Sequence, residues 1–162
     1  PTIVMGGFLK MNKENPALHQ NIQYQHFFSS SYRKKWVDRA LRSDYTHVEG
    51  FLKEIALFKK YGANITAGTD SPQVPYGTSL HAELWLFNQA GLSPFQTLQT
   101  ATINAARLIG VEKDLGSVEV DKLADLVIVD GDPLQNISDT WNVDRVIKNG
   151  RVYLLKDLLT NY

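Results

Sequence analysis

The sequence predicts an α/β fold in which a short buried strand stands between two helices. Residues 63–68 are predicted to form this strand, which leads into a polar, turn-forming tip at Asp70. Gly62, which can close a helix, comes directly before the strand, and another helix is predicted soon after the tip. Ligands of parallel α/β folds bind at the carboxyl ends of the strands, which makes Asp70 the first candidate for a functional side chain.

The first 45 residues are predicted to contain a strand, a long loop and a helix. Residues 2–5 form a short apolar run before the pair Gly6-Gly7, a pattern typical of a buried strand followed by a flexible turn. Residues 12–45 are polar with scattered aromatic side chains. The first half of that segment is predicted to be a loop over a site, and the second half a helix that includes Trp36.

Three of the four histidines are expected at the surface or in a substrate loop rather than at a metal. His19, His26 and His47 have no carboxylate or second histidine beside them at a spacing typical of metal ligands. The fourth histidine, His81, belongs to a helix near Asp70 and is considered with that helix.

Three amphipathic helices are predicted from apolar side chains at steps of three and four residues. The first begins with a capping box of Thr46 and Glu49, the second stops at Gly91, and the third begins with Ser93 as its cap. Their apolar stripes are Val48, Phe51, Leu52, Ile55 and Phe58; then Leu80, Leu84 and Phe87; then Phe95, Leu98, Ala101, Thr102, Ala105, Leu108 and Ile109.

The loop after Asp70 and the start of the second helix hold further polar candidates. Residues 71–77 contain two prolines and end in a glycine, which is compatible with a rigid substrate-binding loop or with a plain connection. His81 and Glu83 stand two residues apart and therefore do not share a face of the helix. A helix-entry or supporting role is favoured for both, with His81 directed toward the loop of Asp70 as the more interesting possibility.

From about residue 112 the pattern changes from helices to short strands, which indicates a domain boundary. Strands are predicted at 115–118, 124–129 and 145–153, and Asn149-Gly150 predicts a hairpin because both residues tolerate positive φ. A nearby acidic cluster lacks the spacing of a calcium loop and is interpreted as turn and cap residues. Its members are Asp121, Asp125, Asp130 and Asp132.

Five short motifs, in their order along the chain, resemble the C-terminal part of the metal-dependent amidohydrolase superfamily. They are Gly68-Thr69-Asp70-Ser71-Pro72, Gly77-Thr78-Ser79-Leu80-His81-Ala82-Glu83-Leu84, Ala90-Gly91-Leu92-Ser93-Pro94, Ala101-Thr102-Ile103-Asn104-Ala105-Ala106-Arg107-Leu108-Ile109-Gly110 and Ala124-Asp125-Leu126-Val127. The likeness is nearest to the imidazolonepropionase-like and prolidase-like branch. The sequence departs from the family pattern at Asp121, where the family usually has glycine before the lysine.

The resemblance implies the fold of a C-terminal fragment of a (β/α)8 TIM barrel. Residues 1–111 would supply its last two βα units, with residues 2–5 as the seventh strand, and residues 112–162 would supply strands of a small composite β-sandwich. A complete barrel needs about 200 residues or more, whereas this chain has 162. The first residue, Pro1, in place of an initiator methionine fits a piece of a longer chain, and it fits equally well the removal of an initiator methionine before proline.

The resemblance further implies metal-assisted hydrolysis of carbon–nitrogen bonds in non-peptide or dipeptide amides. In the family an aspartate at the end of the last barrel strand binds the catalytic metal and accepts a proton, and Asp70 occupies that position. One or two divalent ions are expected in the intact enzyme, with zinc as the first choice and manganese or iron as alternatives, and their other ligands would come from earlier strands; no ion is expected in the fragment alone. Substrate-binding or supporting roles are expected for Thr69, Ser71, Tyr76, Gly77 and His81.

Composition limits the classes of partner. The 17 basic and 17 acidic residues create no net field for nucleic acid or an anionic membrane, and no apolar run is long enough to span a bilayer. We expect a small-molecule substrate, and either a homo-oligomer or completion by a missing N-terminal part, because an opened barrel exposes edges and apolar surface. The alternative is a non-catalytic structural fragment that associates with such a partner or with itself.

Overall fold

A computed structural model describes residues 2–16, 20–71 and 74–160. The described part contains eight α-helices, a short 3-10 helix and one three-stranded antiparallel sheet. The helices are α1 (Thr2–Glu14), α2 (Ile22–Phe27), α3 (Ser30–Arg42), α4 (Thr46–Lys60), α5 (Thr78–Gln89), α6 (Pro94–Thr100), α7 (Ile103–Leu108) and α8 (Leu155–Thr160); the 3-10 helix is Ile137–Trp141, and the strands are β1 (Leu126–Val129), β2 (Val143–Lys148) and β3 (Arg151–Leu154). No helix in these ranges has the length and apolar character needed to cross a membrane.

The strand predicted at residues 2–5 is wrong, because these residues open helix α1. Helix α1 packs on α3 and α5, and its buried Phe8 lies edge-on to Trp36 with ring centroids 5.2 Å apart. The predicted turn glycines lie inside the helix and permit close packing: a Cβ on Gly7 would come within 1.8 Å of Leu86 Cδ1. A four-residue apolar run suits a strand or a helix equally, and packing on α5 decides for the helix.

The predicted loop in the first half of residues 12–45 is partly helical. Asn21 caps α2 by accepting hydrogen bonds from the backbone N–H groups of Gln23 and Tyr24. The predicted helix in the second half is confirmed as α3, whose Trp36 belongs to the core. Among the predicted surface histidines, His47 is exposed on α4, His26 is half-buried beside Phe27, and His19 lies outside the described residues.

The first amphipathic helix is confirmed as α4, but the predicted capping box is wrong. The Asp44 carboxylate accepts hydrogen bonds from the backbone N–H and the hydroxyl of Thr46, in place of a Thr46–Glu49 exchange. The helix ends as predicted before Gly62, whose φ is 70°. Its apolar stripe is only partly covered, since Ile55 is buried and Phe58 is exposed.

The buried strand predicted at 63–68 is wrong: none of these residues is buried, and the segment is irregular and pairs with no strand in the part of the chain that the structure describes. The sheet of this chain is antiparallel throughout, so the parallel barrel strands implied by the resemblance are not seen directly. What the structure shows is a mixed helix and sheet fold in which α1 to α7 precede the sheet and α8 follows it.

The predicted helix over 95–109 is two helices, α6 and α7, separated near Thr102. Its capping box is confirmed, because Ser93 Oγ accepts from the Gln96 backbone and Gln96 Oε1 accepts from the Ser93 backbone. The hydroxyls of Thr100 and Thr102 donate to backbone carbonyls three and four residues earlier. Such bonds compete with the helical ladder, which accounts for the break.

The C-terminal sheet has the order β1-β2-β3, and the hairpin between β2 and β3 is confirmed. Asn149 and Gly150 adopt φ values of 49° and 75°, as a tight turn of this kind requires. Asp125 supports the turn by accepting a hydrogen bond from the Asn149 backbone at 2.7 Å, which fits its predicted role as a turn residue. The strand predicted at 115–118 is wrong, because this segment is an irregular loop.

Helix α5 contacts the 3-10 helix through His81. The His81 Nδ1 atom lies 3.1 Å from Thr140 Oγ1, and the imidazole ring lies against the Trp141 ring with centroids 4.7 Å apart. Burial in this contact lowers the pKa of His81 to about 4.

We predict that replacing Ser93 with alanine lowers the free energy of unfolding by about 1 kcal/mol, because α6 loses one half of its capping box. Urea denaturation followed by far-UV circular dichroism measures the change. An unchanged midpoint with an unchanged slope would show that this cap contributes nothing to stability.

We predict that His81 makes the chain less stable as the pH falls from 6.5 to 4. The folded pKa lies below the ordinary value of 6.5, so His81 contributes full stability above pH 6.5 and loses it as the pH falls through 4. The shift corresponds to at most about 3 kcal/mol. Urea unfolding between pH 4 and 7.5 should show a weaker acid destabilisation in His81→Leu than in the wild type, and parallel pH profiles would contradict the prediction.

Candidate functional site

Asp70 ends the irregular segment 63–70 between α4 and α5 and lies at the surface. Its φ of 52° places the backbone in the left-handed region, which aspartate adopts more readily than most residues. Within the described ranges, no hydrogen bond or ion pair joins its carboxylate to another residue. The carboxylate is therefore accessible to a ligand.

Three helices hold the segment that leads to Asp70. The Ala67 backbone N–H donates to the Thr100 carbonyl of α6 at 3.0 Å. The Gly68 backbone N–H donates to Glu83 Oε2 of α5 at 2.7 Å. A third bond, from Asn104 Nδ2 of α7 to the Ile65 carbonyl, measures 3.1 Å and completes the set. These bonds replace the ladder that a neighbouring strand would provide.

Glu83, for which the sequence analysis favours a helix-entry or supporting role, contacts the segment that carries Asp70. Its side chain is only 4% exposed, and this burial raises its pKa to about 7, while the hydrogen bond from Gly68 acts in the opposite direction. A signal was present in the sequence: Glu83 is a single carboxylate within an apolar run from Ala82 to Phe87. A buried carboxyl group at such a position needs a partner, and the Gly68 N–H supplies it.

The candidates near Asp70 in sequence have different surroundings. Thr69 and Ser71 are half-buried, and their hydroxyl oxygens lie 3.3 Å apart. Tyr76 is exposed, and Gly77 precedes the first turn of α5 with a φ of 69°. Pro72 and Gln73, between these pairs, lie outside the described residues. Hydroxyl, phenol and backbone groups are thus present on both sides of Asp70 in the chain.

The expectation that His81 points toward the loop of Asp70 is wrong, because its polar contact is Thr140 of the 3-10 helix. His81 lines a different feature, a mostly apolar cleft of about 510 Å³ between α5, α6 and the sheet. Leu84 and Leu126 are among the other side chains that line this cleft. As the sequence predicted, His81 and Glu83 face different parts of the structure.

The described residues do not by themselves form a metal site. No group of three or more histidine, aspartate or glutamate side chains in these ranges is arranged to hold an ion. A catalytic zinc ion usually takes three protein ligands, and Asp70 offers a single carboxylate. The carboxylate has the right donor chemistry for a divalent ion, but the number of donors is too small.

Comparison with known proteins identifies relatives of several activities. Over 126 residues the chain is 29% identical to 5-methylthioadenosine/S-adenosylhomocysteine deaminase from Thermoanaerobacter pseudethanolicus, a match that covers 65% of this chain and 29% of that protein. Over 65 residues it is 45% identical to imidazolonepropionase from Symbiobacterium thermophilum, which covers 38% of this chain and 15% of that protein.

A solved structure of similar fold is that of a Xaa-Pro dipeptidase with bound methionine in the active site. It matches with a TM-score of 0.64 and 30% identity, over 95% of this chain and 34% of that chain. In all three comparisons this chain covers about a third or less of the relative's length.

The family assignment rests on a sequence profile that matches most of the chain. Residues 29–153 match the profile of the Amidohydrolase family. This match includes Asp70, Glu83 and the hairpin at Asn149-Gly150, and it confirms the resemblance seen in the five motifs. The chain belongs to the amidohydrolase family.

Proposed function

We propose that this chain is part of a hydrolase that cleaves carbon–nitrogen bonds, and that Asp70 is its proton-accepting carboxylate. The observation that carries the proposal is the position of Asp70 at the end of a segment held by three helices, with its carboxylate accessible. Support comes from relatives named as a deaminase, an imidazolonepropionase and a Xaa-Pro dipeptidase.

In this proposal Asp70 accepts the proton that the attacking water loses and returns it to the leaving nitrogen. A carboxylate suits this role because it can take up and release a proton near the reacting atoms. A divalent ion, with zinc as the first choice, would supply Lewis-acid activation of the water and the carbonyl group. Asp70 would contribute one ligand to that ion, and the other ligands would come from residues that this chain does not contain.

We also propose that the chain forms the C-terminal portion of a TIM-barrel enzyme, in which residues 63–68 become a barrel strand. The segment between α4 and α5 leads to Asp70, and the chain covers about a third or less of its relatives. Residues 1–111 would belong to the barrel and residues 112–162 to a composite β-sandwich. Helix α1 is not part of the barrel sheet in this proposal.

Substrate contacts are proposed for Thr69, Ser71, Tyr76 and Gly77, which lie within seven positions of Asp70 in the sequence. The names of the relatives define a panel for the assay: a Xaa-Pro dipeptide such as Met-Pro, 5-methylthioadenosine, and imidazolonepropionate. All three are small molecules, consistent with the balanced charge of the chain.

A second candidate function, assembly without catalysis, is favoured by apolar surface that the described residues leave uncovered. Phe58 of α4, Phe95 of α6 and Ile109 after α7 are each more than half exposed. Helix faces of this kind are normally covered by a sheet or by another subunit. In this candidate function the chain associates with an N-terminal partner or with a second copy of itself.

We predict that Asp70→Asn abolishes turnover in the full-length product of the coding sequence that contains this chain. Asparagine keeps the shape of the side chain but loses the charge and the capacity to accept a proton. The assay follows hydrolysis of the three panel compounds. If the variant kept a tenth of the wild-type kcat/KM, a loss of about 1.4 kcal/mol, Asp70 would not have the proposed role.

Asp121→Asn is the matched control for this experiment. Asp121 is also an exposed aspartate with a positive φ, 68°, but it lies in the loop before the sheet. The Asp121→Asn enzyme should retain wild-type activity and wild-type metal content, the latter measured by mass spectrometry, whereas the Asp70→Asn enzyme should lose both. Equal effects of the two substitutions would show that the loss is not specific to the Asp70 carboxylate and would contradict its proposed role.

We predict that the 162-residue chain alone forms a homo-oligomer, most simply a two-fold dimer. Uncovered apolar surface costs about 25 cal/mol per Å², so a few hundred Å² disfavour the monomer by several kcal/mol. Sedimentation at low micromolar concentration measures the mass. A sharp 18.3 kDa species that melts cooperatively would contradict the prediction.

A further inference from the structure

Three hydrogen bonds hold the 63–70 segment to the helices, and the one between Gly68 and Glu83 is the nearest of them to Asp70 along the chain. The bonds of Ile65 and Ala67 hold the segment earlier in the chain, while the hydroxyls of Thr69 and Ser71 contact each other. Because the Asp70 carboxylate has no partner among the described residues, its position depends on the backbone that leads to it. The backbone of Asp70 is in turn restrained two residues earlier, at Gly68.

Glu83 is well suited to hold that backbone in place. It lies between Ala82 and Leu84, which are both buried, in a helix that packs on α1, α4 and α6. Its side chain is almost fully enclosed, so few rotamers are open to it, and Oε2 lies 2.7 Å from the Gly68 nitrogen. The acceptor therefore belongs to the packed core and not to a flexible loop.

Stability alone does not explain a carboxyl group at this position. Burial of a carboxyl group is unfavourable unless its hydrogen bonds are complete, and a well-packed apolar side chain of similar volume is often as stable or more stable. An apolar residue would continue the pattern of α5, but it would leave the Gly68 N–H without this acceptor. The Glu83 carboxyl group therefore provides the hydrogen-bond acceptor that the Gly68 N–H needs in the segment that carries Asp70.

We propose that Glu83 is a positioning residue, whose Oε2 atom fixes the Gly68 backbone and through it the place of the Asp70 carboxylate. This inference rests on the proposed function for its catalytic consequence. A misplaced proton acceptor slows the chemical step more than it weakens substrate binding, because small displacements of a reacting group are costly. Loss of the Glu83 acceptor should therefore lower kcat while KM changes little.

The first experiment tests the contact in the wild-type chain. Nuclear magnetic resonance of the isotope-labelled, 162-residue protein should detect a scalar coupling across the hydrogen bond between Gly68 ¹⁵N and Glu83 ¹³Cδ. The couplings across the backbone hydrogen bonds of α5 serve as the internal control. If these are resolved and the Gly68 amide shows no coupling to Glu83, the proposal is overturned. This test needs no substrate and no metal.

The second experiment uses two substitutions of matched size. Glu83→Met removes the acceptor without leaving a large cavity, whereas Glu83→Gln keeps an acceptor oxygen. In Glu83→Met the Gly68 amide should exchange with solvent about tenfold faster and the Asp70 backbone resonances should shift. In Glu83→Gln both should stay close to wild type. Wild-type exchange and resonances in Glu83→Met would overturn the proposal.

The catalytic consequence is measured in the full-length enzyme with the panel compound that it hydrolyses fastest. Glu83→Met should lower kcat by about tenfold to a hundredfold with KM within about threefold of wild type, and Glu83→Gln should restore most of kcat. Asn104→Ala is the control, because it removes another side-chain anchor of the same segment at Ile65, further from Asp70. An equal loss of kcat in Asn104→Ala and in Glu83→Met would overturn the proposal.

Asp70→Asn, measured alongside, separates this inference from the proposed function. If Asp70→Asn is inactive and Glu83→Met has wild-type kcat, the positioning role is overturned while the proposed function stands. If Asp70→Asn remains active, the proposed function is overturned, and the coupling, exchange and resonance measurements still decide whether Glu83 holds the segment.

Discussion

Helix α5 is surrounded on most sides by other elements, and its contacts position those elements relative to one another. It contacts α1, α4, α6 and the 3-10 helix, and most of its side chains from Thr78 to Phe87 are buried. The contact with α1 is close because Gly7 presents no side chain to Leu86. The contact with the 63–70 segment runs through Glu83, so the same packing that builds the core also locates the candidate site.

Burial of α5 also sets the electrostatics of its two titratable groups. It disfavours the charged form of each, so the pKa of His81 falls to about 4 and that of Glu83 rises to about 7. The contribution of His81 to stability is lost as the pH falls, whereas that of Glu83 is full at low pH and is lost as the pH rises through 7. The two effects therefore oppose each other over much the same pH range.

The candidate site combines a well-anchored backbone segment with an accessible carboxylate, and the described residues offer no cluster of side chains that could hold a metal ion. The match to the amidohydrolase family covers the segment that leads to Asp70, and the chain spans about a third or less of each relative's length. The anchoring of 63–70 by two side chains and the Thr100 carbonyl of α6 gives the segment a defined path without a neighbouring strand. The chain thus holds Asp70 in place independently of a complete barrel sheet.

The sequence by itself determined the features that depend on neighbouring residues: helices α4 and α5, the Ser93 cap, the glycine at the end of α4 and the Asn149-Gly150 hairpin. Caps, positive φ values and apolar periodicity act within a few residues, so a single sequence contains them. Only the tertiary structure decided that residues 2–5 are helical, that 63–68 has no strand partner in the described chain, that His81 contacts Thr140, and that Glu83 holds Gly68. Each of these depends on a contact between residues distant in sequence, and local propensity does not specify which distant residue will be the partner.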